Sequence, residues 1–393
     1  MQVHWRTHSE TAQLRHFSGL NLAGHTDLSQ VAQLWREFEP HCLATFYQSY
    51  AWCSAYADTL GKLHRRSPLI IVAKFSNDEV AFILPFQISK ICGLRSVEWL
   101  AQDQNSYSCG IFSNRFLSEL GDVWMEANFF KLLEEIIGYD ILNLRNMAQN
   151  IDAASNPLKF LNNFKAANCS YKLAILDDYQ KLLRRKRSSK SIGKMQRRDE
   201  RIFEMRDTKI EVGGGSVDVL KRLFDFKTVQ LAQMGVHGVF DTASQNFFYR
   251  LMQNCDRGSA ALRVFALTTG NEPLGYVLGG IFNSQFYLMV TTLGPKAPLP
   301  LSPGDMLLRH SIEWACQQKV QSYDFSTGDE GYKSLWADEA VPLFNHFAAR
   351  RVLALPFVAG MALGQWMKRM VKQNTFAKVI YLTLRRRLRG RSA

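Results

Sequence analysis

No C-x-x-C pair occurs among the seven cysteines, and their number is odd. Cysteines scattered in this way argue against a disulfide framework or a zinc site and for reduced thiols in a cytoplasm. No apolar run approaches the ~20 residues that a transmembrane helix needs. Residues 1–6 hold no hydrophobic signal core, so export is not expected. The nine histidines form no H-E-x-x-H pattern, and no metal site is expected. A P-loop and a dinucleotide glycine fingerprint are both absent, because Gly213-Gly214-Gly215 precedes a helical stretch without the required spacing. Finally, residues 350–393 contain no acid.

What is present is an ordinary globular composition, 47% hydrophobic and 21% charged, in a chain of 393 residues that suggests two or three domains. The net charge of +13 is concentrated in two places. Residues 181–209 carry twelve Lys/Arg against four acids, and residues 350–393 carry eleven Lys/Arg. The rest of the chain is mildly acidic. Basic segments on such a body point to a polyanionic partner: a phosphorylated cofactor, an anionic lipid surface or RNA. The alternative is a solvated helix face and a loose tail.

Alternating apolar runs at 68–75 and 79–86 predict a hairpin across Ser76-Asn77-Asp78. Strands at 97–100 and 108–112, a helix at 122–137 and a strand at 140–144 follow. The second half repeats the order: strands at 261–267, 274–282 and 286–292, a helix at 303–319 and a strand at 322–325. Between the halves, 177–205 reads as one helix with Lys190, Lys194, Arg197, Arg198 and Arg201 on one face. A further helix is expected at 217–234.

The densest chemistry lies in 302–336. Ser302 suits a helix cap, Pro303 the first helical position and Asp305 the acid of a capping box. A helix start beside a strand end is a natural seat for a phosphate-bearing group. The strand end then runs Phe325-Ser326-Thr327-Gly328-Asp329-Glu330-Gly331-Tyr332-Lys333-Ser334-Leu335-Trp336. Asp324, inside the strand, needs a partner if buried, and Lys333 or Arg309 is expected to supply it.

Taken in order, the 46–52 segment (Phe-Tyr-Gln-Ser-Tyr-Ala-Trp), the hairpin ending Leu84-Pro85-Phe86, the basic helix around 188–201, Ser302-Pro303-Gly304, Asp324-Phe325 and Gly328-Asp329-Glu330 with Tyr332, Lys333 and Trp336 resemble a known family. They are similar to GNAT-superfamily acetyltransferases grouped with CelD of cellulose and exopolysaccharide biosynthesis, related to the FemX-type aminoacyltransferases. The resemblance spans most of 45–350. It implies an α/β (α+β) protein of two tandem GNAT-like folds, each a mixed, mostly antiparallel sheet flanked by helices, over 1–175 and 176–350, with a basic helical tail at 351–393. It implies acetyl-CoA or another acyl-CoA held between strands 286–292 and 322–325, with Thr291, Ser302, Pro303, Gly304 and Lys333 on the cofactor. The superfamily's usual Arg/Gln-led pyrophosphate loop is missing here, and Asp305 adds a negative charge.

Acyl transfer needs a base, a polarised carbonyl and an acid for the leaving thiolate. Asp324, Asp329 and Glu330 are candidate bases and Tyr332 a candidate acid. For Asp329 and Glu330 a solvated turn, and for Tyr332 and Trp336 packing on the sheet, are the alternatives. Gln233, His237 and Asp241, in a glycine-containing loop after a helix, suit an acceptor lid, with Trp336 as a further contact. The acceptor expected is a small or lipid-linked sugar, modified at an amino or hydroxyl group. Two other functions remain open: an aminoacyl-tRNA-dependent transferase using the basic helix on tRNA, and an inactive scaffold in polysaccharide assembly. In the C-terminal segment, 353–370 is expected to pack on the second domain, because Pro356 and Gly360 interrupt a continuous helix. Residues 371–393 are expected to attach weakly to membrane, at about 1 kcal/mol per cation.

Overall fold

The computed structural model describes residues 15–373 apart from 206, 256–258, 271 and 329. Its centre is one sheet of fifteen strands, mixed but mostly antiparallel, with helices on its faces. The first half contributes Arg15–Phe17, Leu20–His25, Ser67–Lys74, Val80–Ile91, Leu94–Trp99 and Ile141–Ala148 in spatial order. The second contributes Ser322–Thr327, Gln285–Leu293, Glu272–Phe282, Ala261–Thr269 and Thr208–Gly213.

The halves exchange strands where they meet. Glu339–Ala349 comes late in the chain, yet pairs with Ile141–Ala148. Phe164–Ala174, the last strand of the first half, lies beside Ser322–Thr327. These two exchanged strands pair with each other and join the halves into one sheet. Each half also holds one parallel pair, Leu94–Trp99 with Ile141–Ala148 and Gln285–Leu293 with Ser322–Thr327. Parallel neighbours need a crossover helix, and Gly121–Ile136 and Pro303–Gln317 serve as these.

Three apolar clusters follow from this plan. Gly121–Ile136 buries Trp124, Phe129 and Leu133 against the first half's sheet, and Pro303–Gln317 buries Met306, Leu308 and Ile312 against the second's. The third joins the halves, packing Phe46, Tyr47 and Trp52 against Phe247, Phe248 and Tyr287. A Cβ at Gly280 would lie 2.5 Å from the Phe46 ring. Glycine at that strand position is what lets the ring of one half rest on the backbone of the other.

Some expected elements differ. The strand at 108–112 is reduced to Ile111–Ser113. The helix at 177–205 is two, Tyr179–Lys186 and Ser189–Phe203, because Ser188 takes an extended conformation and caps the second through the Ser191 amide. Pro356 and Gly360 do not interrupt the C-terminal helix, which is continuous over Leu355–Gln373. Pro356 sits in its first turn, where a missing N–H costs nothing.

Candidate active site

The parallel strands Gln285–Leu293 and Ser322–Thr327 share three registers, ending at Tyr287↔Asp324. Beyond that the strands part. Gln285–Leu293 continues beside Glu272–Phe282, and Ser322–Thr327 turns toward Phe164–Ala174. The gap is a cleft of about 340 Å³, with Val290 and Thr291 on one wall and Ser326 and Thr327 on the other. Tyr47, Trp52 and Ser106 of the first half form its floor, and Val239 and Phe240 reach it from the loop after Val217–Gln233. A second hollow of about 210 Å³ adjoins it toward Gly304, and Thr291 and Tyr332 line both.

Asp324 lies behind the cleft, fully buried. Neither Lys333 nor Arg309 is its partner. The Tyr107 hydroxyl donates to its Oδ2 at 2.6 Å, the Ser170 hydroxyl to Oδ1 at 3.0 Å and the Ser326 amide to Oδ1 at 2.6 Å. Burial pushes its carboxyl up; the nearby Lys172 charge and these donors pull it back. Burial works against the Lys172 ammonium, but Asp324 and Asp152 outweigh it and hold it above its ordinary value. Asp324 does not itself line the cleft and reaches it only through the groups it holds. It fixes Ser326 in a left-handed backbone conformation, φ +59°, and Ser326 Oγ lies 2.8 Å from the Tyr47 hydroxyl on the cleft floor.

At the helix start, the expected capping box is not formed. Ser302 adopts a left-handed conformation, φ 58°, and its hydroxyl makes no cap. Instead Arg198 Nη1, from the basic helix, donates to Ser302 Oγ at 2.7 Å. Pro303 does occupy the first helical turn. Asp305 is neutralised rather than exposed as bare charge. Arg309 Nε donates to it at 3.0 Å, while the other arm of that guanidinium grips Asp199 at 2.8 and 2.7 Å. The start of the helix thus presents Gly304 to the second hollow with Arg198 alongside. The orphaned Thr292 Oγ1, buried and without a hydrogen-bond partner, belongs to a residue lining the same hollow.

Glu330, Tyr332 and Lys333 all line the cleft. Burial raises the Tyr332 phenol, as does the charge of Glu330; a hydrogen bond with Thr291 opposes them. Lys333 is buried and donates to the Thr327 carbonyl at 2.8 Å, with Glu330 Oε2 at 2.9 Å. It closes the Gly328 turn rather than offering a free cation. Lys227 also faces the cleft, donates to the Thr291 carbonyl at 2.9 Å, and is lowered by burial despite Glu330. Asp329 lies outside the described residues.

The other lid candidates are not brought to the cleft. Gln233 and His237 are exposed, and Asp241 caps the next helix through the Ser244 amide at 2.8 Å. Trp336 is buried in the second half's core, with the Arg187 guanidinium 4.5 Å above its ring. Sequence reading missed Tyr47, Ser106, Tyr107, Ser170, Lys172 and Lys227. Tyr107 and Asp324 are 217 residues apart, and no local pattern links them. Tyr47 stood in a quoted motif, which could have flagged it. Among the described residues no acid, histidine and cysteine cluster could hold a metal ion.

The second half has a GNAT acyltransferase fold, with the split strands and the helix start as its candidate site. Residues 185–334 match the acetyltransferase (GNAT) domain family. The crystal structure of FemX is similar at TM-score 0.54 and 11% identity, over 85% of this chain and 99% of that one. L-PGS from Bacillus licheniformis is similar at TM-score 0.48 and 10% identity, over 80% and 96%. A tandem GNAT protein from the clavulanic acid biosynthesis pathway is similar at TM-score 0.43 and 8% identity, over 84% and 98%. No curated protein matches in sequence.

Proposed function

We propose that this chain is an acyl-CoA-dependent N- or O-acyltransferase, most simply an acetyltransferase, acting on a sugar or cell-envelope precursor of the kind CelD-like proteins serve. The observation that carries the reading is the parting of Gln285–Leu293 from Ser322–Thr327 after three registers. Parted strands no longer pair with each other and leave a gap for a pantetheine arm. Side chains now hold the groups on its walls, with Lys227 on the Thr291 carbonyl and Lys333 on the Thr327 carbonyl, and the arm's amides would take their place or bond beside them. Thr292, whose buried Oγ1 has no hydrogen-bond partner, lines the adjoining hollow. The helix amides and Arg198 at Ser302 supply the positive end for a pyrophosphate, and Arg309 removes the objection posed by Asp305.

In this reading Tyr332 donates the proton to the leaving thiolate, and its raised phenol stays protonated at neutral pH. Glu330 takes the proton from the attacking amine or hydroxyl. Asp324 holds Tyr107 and Ser326 in place and touches no substrate. The test is release of free thiol from acetyl-CoA with amino- and hydroxyl-sugar acceptors. Tyr332→Phe should lower kcat by about 100-fold with donor affinity kept. Equal rates in Tyr332→Phe and wild type would remove this assignment.

A second reading, transfer from an aminoacyl-tRNA, is favoured by one feature. Lys190, Lys194, Arg197 and Arg201 are exposed on the same helix that sends Arg198 to Ser302. Phosphate-dominated binding would weaken with salt. Salt-sensitive tRNA binding lost on neutralising Arg197 and Arg201 would choose this reading over acyl-CoA.

A further inference from the structure

The C-terminal helix Leu355–Gln373 docks on the exchanged strands Phe164–Ala174 and Glu339–Ala349. Its outward face is apolar. Leu363, Trp366, Met367 and Met370 are 54, 58, 49 and 46% exposed, and their spacing puts them on one stripe. Leu355, exposed too, extends the stripe to the helix start, and Val352 and Leu353 stand beyond it at 80 and 75%. At 19 residues the helix is about 28 Å long. A surface helix normally turns such a stripe inward, and an exposed apolar patch this long marks an interaction surface.

The stripe is framed by cations. Lys368, Arg369 and Lys372 close its far end, and Lys372 donates to Asn168. At its start is a hollow lined by Lys90, Arg95, Arg350 and Arg351. Asp140 and Glu134 pair with Arg351 and Arg350 there, which leaves the hollow net positive. Residues 351–373 include no acid at all.

We propose that this face seats the protein on an anionic phospholipid surface, the helix lying in the interface plane with Trp366 and its neighbours among the acyl chains. No helix of the described residues is long and apolar enough to cross a membrane, so an in-plane posture is the one available to this helix. The charge decides among occupants. A second copy, or the acid-free stretch beyond Gln373, would set cations against cations. An anionic bilayer offers hydrocarbon to the stripe and opposite charge to both of its ends. The inference is independent of the acyltransferase reading, since it concerns another surface and a readout other than turnover.

Co-sedimentation of the full chain is compared on vesicles of equal parts phosphatidylglycerol and phosphatidylcholine, and on phosphatidylcholine alone. Binding is expected to the mixed vesicles only. It should fall at least tenfold in the triple variant Leu363→Gln, Trp366→Gln, Met370→Gln, and also in Arg350→Gln with Arg351→Gln, both folded by circular dichroism. Brominated lipid should quench a tryptophan signal that is missing in Trp366→Phe. Wild-type sedimentation by the triple variant would overturn the proposal. So would a dimer in vesicle-free solution that the triple variant dissociates, which gives the face to a second copy. Trp366 already shielded from iodide without vesicles would overturn it as well, because the chain itself would then cover the stripe.

Discussion

Asp324 shows what a single buried carboxylate does in this fold. Its folded pKa is raised above the ordinary 3.8, burial being the main cause. The folded state therefore holds this proton more tightly than the unfolded chain. The contribution is complete below 3.8 and is lost as pH rises through the folded value. Replacing Asp324 with Asn removes that dependence. Chemical denaturation should therefore show the Asn variant's deficit to be largest in acid and to shrink as pH rises. A deficit that grows with pH would mean that the carboxylate is held ionised, below its ordinary value. Asp324→Ala is harsher, leaving Tyr107, Ser170 and the Ser326 amide without their acceptor and Lys172 without a nearby countercharge, and about 3 kcal/mol of stability is expected to go. That Asp324 would need a partner was legible from a carboxylate in a strand. Which partners it has was not, because Tyr107 and Lys172 arrive through the long-range packing of the two halves.

At the scale of elements, hairpins and core helices were readable because their apolar period is set by burial. Helix ends were less so. Ser302, Pro303 and Asp305 carry the letters of a capping box, yet Ser302 turns left-handed and its hydroxyl oxygen accepts from Arg198. Asp305 likewise belongs to Arg309. A tertiary contact overrode a local pattern in both cases, and the first brings the Arg198 guanidinium to the helix start. The pairing between helices Ser189–Phe203 and Pro303–Gln317 has a consequence for binding. Arg309→Gln leaves Asp305 facing the donor hollow uncompensated, so acyl-CoA affinity should fall about tenfold, or ~1.4 kcal/mol. Adding Asp305→Asn should restore most of it, as calorimetric titration of the single and double variants would show. Equal loss in both would assign the effect to helix packing instead. The C-terminal helix teaches the same lesson from the other side. Pro356 looked like a break and is a start, and of the apolar positions expected to pack inward Leu353, Leu363, Trp366 and Met370 face out while Phe357 and Met361 are half-buried.

For the whole molecule, the exchanged strands matter most. Tandem order was visible in the sequence as a repeated strand and helix pattern. The exchange was not, since a strand's own residues do not say which neighbour it pairs with. A cut at residue 175 would take Glu339–Ala349 from Ile141–Ala148, and Phe164–Ala174 from Ser322–Thr327. Each fragment would expose a central strand edge and half of the shared aromatic cluster. Residues 1–175 and 176–393, expressed separately, should therefore show no cooperative thermal transition, and should recover one when coexpressed. Independent melting of either fragment would show that the exchange is dispensable. The exchange also explains why the cleft floor, Tyr47 with Trp52 and Ser106, comes from the half that does not hold the split strands.

The central claim is that the gap between Gln285–Leu293 and Ser322–Thr327 receives an acyl-CoA. Titration calorimetry of the full chain with acetyl-CoA and longer acyl-CoAs tests it directly, with Thr291→Trp as a plug for both hollows and Arg198→Ala as the loss of the phosphate contact. Saturable one-to-one binding is predicted for wild type, abolished by the plug and weakened about tenfold in Arg198→Ala, the worth of one charge-assisted hydrogen bond. A folded wild-type chain that binds no acyl-CoA, or a plugged variant that binds as well as wild type, would contradict the account and leave the scaffold and aminoacyl-tRNA readings in its place.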